Sequence, residues 1–301
     1  MRFEGIYTPI ITTFRDDLSV DFDAYGQVID WQVENGCHGL IVGGSTGEFF
    51  SLTQEERIAQ FGFAVERAAG RLPVVAGVND LLAARCHELA AAAREAGVDA
   101  LLVAAPPYGL PNQEELAAHC LEIDRIADLP IMLYNYPGRT GVCMEDSFLE
   151  RVKQKRNFRA IKESSGDIDR LHRLARDFPE LQLSAGAEDQ ALEFFAWGAR
   201  SWVSVVANFL PREAVRLYEL CVLEGDFDRG RRIMSALLPL TTCLEKGDKF
   251  LQSVKYACEL LGRPGGPVRP PFQPMDDASR GELSRIVEAA RESLQSIIGK
   301  G

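Results

Sequence analysis

Short β-rich runs alternate with longer amphipathic ones eight times over, and few folds accommodate that alternation. The candidate strands cover 6–12, 39–43, 73–77, 99–105, 130–135, 158–162, 181–185 and 201–206. Helical patterns lie between them. The one over 53–69 opens with Thr53-Gln54-Glu55-Glu56, a capping-box arrangement, and the alanine-rich one over 81–96 stops at Gly97. That over 112–128 begins with Asn112 as an N-cap, and that over 188–198 ends on glycine. Strand–helix repeats place parallel strands side by side through right-handed crossovers. Eight such units close into an α/β fold, the (β/α)8 TIM barrel. A doubly wound open sheet ranks second, because no GxGxxG follows the first strand.

Beyond residue 211 the pattern becomes helical, with runs over 212–224, 227–243, 249–261 and 276–298. Residues 1–224 are therefore expected to form the barrel and 225–301 a C-terminal helical extension. The Pro/Gly-rich piece at 263–274 reads as a crossing between two of these helices, not as a domain linker.

Composition narrows the function classes. A net charge of −11 with no basic block argues against a general nucleic-acid binder. No apolar run reaches membrane-spanning length, and Met1-Arg2-Phe3-Glu4-Gly5 leads straight into a strand-like run without a leader pattern. Seven scattered cysteines with no CxxC pair suggest reduced thiols in a cytoplasmic protein. His38, His87, His119 and His172 make no HxH or HxxxH pair, so no metal site is expected.

In such a barrel, reactive groups collect where the strands end. Strand two runs into Gly43-Gly44-Ser45-Thr46-Gly47-Glu48, whose hydroxyls and backbone N–H groups suit an anion such as a carboxylate. Strand four ends in Pro106-Pro107-Tyr108, a loop stiffened by two prolines. Strand five ends in Tyr134-Asn135-Tyr136-Pro137-Gly138-Arg139-Thr140-Gly141. There the Tyr134 phenol can give and take a proton, and Arg139 can clamp a carboxylate. Strand six ends on Lys162, within Phe158-Arg159-Ala160-Ile161-Lys162-Glu163-Ser164-Ser165-Gly166. Alternation puts Lys162 on one face with Ala160 and Phe158. Singly, each residue has a bland reading: a snorkelling lysine, a packed tyrosine, a surface arginine or a polar turn. Together they are the parts for imine chemistry on a 2-keto acid. A desolvated lysine attacks the ketone, and a phenol moves protons through hydroxyls.

In order and spacing these motifs resemble the pyruvate-dependent class I aldolases of the dihydrodipicolinate synthase and N-acetylneuraminate lyase superfamily. The resemblance runs from Gly5-Ile6-Tyr7-Thr8-Pro9-Ile10 to Val203-Ser204-Val205-Val206-Ala207-Asn208. It implies that Lys162 forms the imine, that Tyr134 shuttles protons, and that Ser45 and Thr46 bind the keto-acid carboxylate, with Thr46 joining the relay. It implies that Tyr108 crosses a dimer interface to complete a neighbour's relay, and that Gly186 and Val203 line the pocket through backbone groups. A homotetramer built from dimers, and no cofactor beyond the lysine imine, are implied as well.

Arg139 resembles the arginine with which dihydrodipicolinate synthases hold the carboxylate of aspartate semialdehyde. The chain departs from them at Thr12-Thr13-Phe14, at Ser45, at Pro107-Tyr108 and over Lys249-Phe250-Leu251-Gln252-Ser253-Val254-Lys255. The Pro-Pro-Tyr loop is familiar from sugar-acid dehydratases. Gln54 and Arg57 stand where lysine-inhibited bacterial synthases tend to have histidines. The expectation is a lyase condensing pyruvate with a carboxylate-bearing aldehyde. The alternatives are an aldolase or dehydratase of a 2-keto-3-deoxy sugar acid, and a barrel that only binds a keto acid.

Overall fold

A computed structural model describes residues 1–299; Lys300 and Gly301, the end of the expected extension, lie outside the described residues. Eight parallel strands close into a barrel: β1 (Gly5–Pro9), β2 (Gly39–Val42), β3 (Val74–Gly77), β4 (Ala100–Ala104), β5 (Ile131–Asn135), β6 (Phe158–Glu163), β7 (Gln182–Ala185) and β8 (Ser201–Val203). Closure is made by β8 pairing with β1, Val203 opposite Tyr7. Helices α1 (Phe22–Glu34), α2 (Gln54–Ala68), α3 (Ala83–Glu95), α4 (Gln113–Ala127), α5 (Pro137–Thr140), α6 (Asp146–Val152), α7 (Ile168–Asp177), α8 (Ala191–Ala196) and α9 (Pro211–Tyr218) follow the strands.

The local signals act as physical chemistry requires. The Thr53 hydroxyl accepts from Glu56 N–H at 3.2 Å, and the Glu56 carboxylate takes Thr53 N–H at 2.9 Å, which closes the capping box of α2. Asn112 and Glu115 repeat the device at α4. Strand ends differ from the periodicity. β8 stops at Val203, not 206, because the Glu188 carboxylate draws the N–H groups of Val205 and Val206 out of the ladder at 2.6 and 3.2 Å. Helices α1, α6 and α7 were not separately legible; each holds its apolar face against the outer core cluster.

Two apolar layers result. The outer one lies between strands and helices. The inner one fills the barrel with Phe3, Tyr7, Ile41, Val75, Leu102, Met132, Ala160 and Val203, so the barrel is a packed column and not a pore. Helices α10 (Phe227–Lys246), α11 (Phe250–Leu260) and α12 (Asp277–Ile298) pack on one another and on the barrel. Segment 263–274 runs between α11 and α12 and docks on the barrel: Arg269 N–H donates to the Glu48 carboxylate at 3.2 Å, and its guanidinium pairs with Glu56 at 2.6 Å. Lys255 of α11 meets Glu48 at 2.6 Å with both side chains buried. Among the described residues, no helix is long and apolar enough to cross a membrane.

Candidate active site

Lys162 stands inside the barrel at the C-terminal end of β6, two residues above Ala160 of the inner column. It is only 6% exposed. Its register partners are Tyr134 on β5 and Ser184 on β7. Nζ lies 4.0 Å from the centre of the Tyr134 ring, where the π face offers the ammonium partial compensation. Burial nevertheless dominates and pulls the amine down to about 8, against the raising charges of Glu188 and Glu245. The buried Tyr134 phenol moves the opposite way, up to about 12, although the hydroxyls of Ser45 and Ser164 beside it oppose the shift. A neutral-prone amine and a protonated phenol thus stand side by side at paired strand ends.

The backbone beneath this pair is fixed by a cluster on the outer face of the same strand ends. Side chains alternate, so Glu163 points away from Lys162. Its carboxylate accepts from Asn135 Nδ2 at 3.0 and 2.8 Å, from Ser165 N–H at 2.7 Å and from Arg170 Nε at 2.7 Å. Arg170 also donates to the Met144 carbonyl. Neighbours of Tyr134 and of Lys162 are therefore bolted to each other across β5 and β6.

Ser45 and Thr46 reach the mouth from the turn after β2. Thr46 is buried, and Ser45, half-buried, lies against the Tyr134 phenol. Thr12 Oγ1 donates to the Gly47 carbonyl at 2.6 Å and Glu48 N–H to the Ser45 carbonyl at 3.1 Å. Gly186, just past β7, approaches so closely that a Cβ would come within 2.9 Å of Lys162 Cγ and collide with Ser164 Oγ. Val203 belongs to the inner column with Tyr134 and Ala160. Arg139, exposed, is held between the rings of Tyr136 and Phe250, each 5.5 Å from its guanidinium carbon. Tyr108 is not brought to this group. It is 91% exposed on its loop, with φ of +71°.

Three site residues escaped the sequence reading. Glu188 is fully buried; besides the two N–H groups after β8 it faces Ser204 Oγ at 3.5 Å, and burial pushes it up to about 8. Its position just past Gly186 was the only hint. Glu245, in the last turn of α10, accepts from Glu188 N–H at 3.3 Å and is raised by burial. Nothing in sequence separates it from a solvated helix acid. Ser164 Oγ is buried with no hydrogen-bond partner among the described residues. A cleft of about 790 Å³ at the other end of the barrel is bordered by Arg2, Arg159, Trp197 and Arg200. Those arginines are exposed, so it does not compete with Lys162 as a reaction site.

Comparison with known proteins follows the same lines. The model of the dihydrodipicolinate synthetase family matches residues 2–290. A 4-hydroxy-tetrahydrodipicolinate synthase of Thermoanaerobacter sp. (strain X514) is 34% identical over 293 residues, covering 95% of this chain and 96% of that one. Among solved structures, dihydrodipicolinate synthase from Aquifex aeolicus superposes with a TM-score of 0.91 at 34% identity, covering 96% and 98% of the two chains. The 4-hydroxy-tetrahydrodipicolinate synthase from Methylacidiphilum fumariolicum SolV gives 0.94 at 31%, covering 99% of each.

Proposed function

This chain belongs to the dihydrodipicolinate synthetase family, and on that premise we propose that it is a Schiff-base lyase that condenses pyruvate with a carboxylate-bearing aldehyde. The observation that carries the reading is the buried Lys162 amine, 4.0 Å from the Tyr134 ring at the mouth of a closed barrel. The neutral amine attacks the keto carbon of pyruvate, and loss of water gives the imine. The Ser45–Thr46 turn takes the carboxylate, and Gly186, whose missing side chain lets the backbone pass close to the lysine stem, lines the pocket. Loss of a methyl proton turns the imine into an enamine, whose carbon attacks the aldehyde. Tyr134 carries protons to and from the reacting atoms, with the Ser45 hydroxyl beside it and Thr46 in the same turn. Arg139 holds the carboxylate of the incoming aldehyde. The covalent lysine adduct serves in place of a dissociable cofactor.

The exposed Leu81, Leu82, Tyr108 and Leu110 sit on neighbouring loops after β3 and β4. We read them as a face covered by a second copy, with Tyr108 completing the partner's relay in a dimer that pairs into a tetramer. The free cysteines, five of them buried, agree with the reducing cytoplasm.

Borohydride reduction in the presence of pyruvate tests the reading. It should add the mass of reduced pyruvate to Lys162, and Lys162→Ala should gain nothing. A product assay then separates the reactions. Pyruvate with aspartate semialdehyde should yield a cyclic product; consumption of a 2-keto-3-deoxy sugar acid instead would make the enzyme an aldolase or dehydratase.

A further inference from the structure

Where the helical extension meets the barrel, a cleft of about 550 Å³ shares no lining residue with the site at Lys162. Its walls are α1 and α9 on the barrel side, and α12 with the end of α11 on the other. Three arginines line it, each from a different segment: Arg212 in the first turn of α9, Arg263 just past α11, and Arg291 on α12. Two of them are held in place. The guanidinium carbon of Arg263 lies 3.4 Å from the centre of the Trp31 ring, a cation–π contact. Its Nε is buried without an acceptor, so its Nη groups alone remain to meet a ligand, and they donate to no described residue. Arg212 Nε donates to Asn35 Oδ1 at 2.7 Å, and Asn35 Nδ2 in turn donates to the Trp31 carbonyl at 2.7 Å. The C-terminal end of α1 thus seats both guanidinium groups.

Charge in the cleft is unbalanced. Arginines elsewhere, such as Arg67, Arg156 and Arg170, close on carboxylates. Arg212, Arg263 and Arg291 pair with no described carboxylate, although they face one cleft. Glu213 is the one acid that lines it; this side chain is half-buried, and burial raises its carboxyl toward the neutral form. Three guanidinium charges against one carboxylate leave +2, in a chain whose net charge is −11. Like charges in one cleft repel, and an anion among them turns that repulsion into attraction.

We propose that this cleft binds a small organic phosphate. A phosphate monoester dianion cancels the surplus charge, and its three terminal oxygens suit three forked donors. A single carboxylate offers one charge and two oxygens. Leu260 and Leu261 give the carbon skeleton an apolar wall beside the arginines. Because the walls belong to both parts of the molecule, the bound phosphate fastens the extension to the barrel at a second point, besides Lys255 and Glu48.

Isothermal titration calorimetry on the full chain at constant ionic strength tests the proposal, with glycerol 3-phosphate and succinate as the injected probes. Glycerol 3-phosphate should bind once per chain with a Kd of about 1 mM or tighter, and should raise the thermal unfolding midpoint. Arg263→Gln and Arg291→Gln should each weaken it by about tenfold or more, while Arg139→Gln should leave it within about twofold. Arg291 is exposed, so its variant keeps the test readable if Arg263→Gln does not fold. No binding up to about 20 mM overturns the proposal, as does a Kd in Arg291→Gln within about twofold of the unmodified chain. Loss of binding in Arg139→Gln also overturns it, since the phosphate would then sit at the mouth of the barrel. Succinate binding as tightly as glycerol 3-phosphate overturns the choice of a phosphate over a dicarboxylate.

Discussion

A lysine ordinarily protonated to above pH 10 cannot attack a ketone at neutral pH, so the burial of Lys162 is the first requirement of the proposed chemistry. With the amine pulled down to about 8, the neutral fraction grows as pH rises and levels off above that value. The rate of pyruvate trapping should therefore climb between about pH 6.5 and 8.5 and then flatten. A rate still rising steeply at about pH 10 would show an unperturbed lysine. That Lys162, Tyr134 and Ser45 come together, with Thr46 in the same turn, was legible because each sits at or just past a strand end inside an ordered motif. Glu188 and Glu245 were not, because their role depends on where α10 lands on the segment after β7, which no local pattern records.

At the scale of elements, β5 and β6 act as one unit because Glu163, Asn135 and Arg170 join them. Glu163→Ala would strand a buried guanidinium and a buried amide. It should cost about 3–5 kcal/mol in urea unfolding, with kcat falling as Tyr134 and Lys162 lose their common frame. Glu163→Gln, which keeps the acceptor for Ser165 N–H and Asn135, should cost distinctly less. Unchanged stability in the alanine variant would mean that the cluster does not fix the strand ends. Strand positions were readable from β-rich runs, but their ends were not. β8 was read three residues too long because its termination is set by a carboxylate from a different unit. Helices α6 and α7 are short, seven and ten residues, so each carries only a few apolar positions from which to read a period.

At the scale of the molecule, the extension and the barrel are coupled through the buried Lys255–Glu48 pair. Lys255→Met should lose about 3–5 kcal/mol by leaving Glu48 buried without its cation. It should also raise KM for pyruvate, since Glu48 anchors the turn bearing Ser45 and Thr46. The double variant Glu48→Gln with Lys255→Met should regain much of the lost stability; if it is no more stable than Lys255→Met alone, the pair is not what couples the two parts. For assembly, the expected outcome is complementation. Tyr108→Ala and Lys162→Ala, each nearly inactive, should recover up to about a quarter of full activity when mixed under subunit exchange. A mixture no more active than its parts would place Tyr108 outside the neighbour's relay. The helical character of the last stretch was legible, but not its duty, since the approach of Lys255 to Glu48 joins residues far apart in the sequence.

That same salt link makes the order of synthesis matter. A nascent chain has finished all eight strands and its reactive amine long before α11 leaves the ribosome. Until Lys255 and Arg269 arrive, Glu48 lacks these partners and the turn proposed to hold the keto acid has no outer anchor. On the proposed reading competence is thus conferred late, and a prematurely terminated product would carry Lys162 without a properly held Ser45–Thr46 turn.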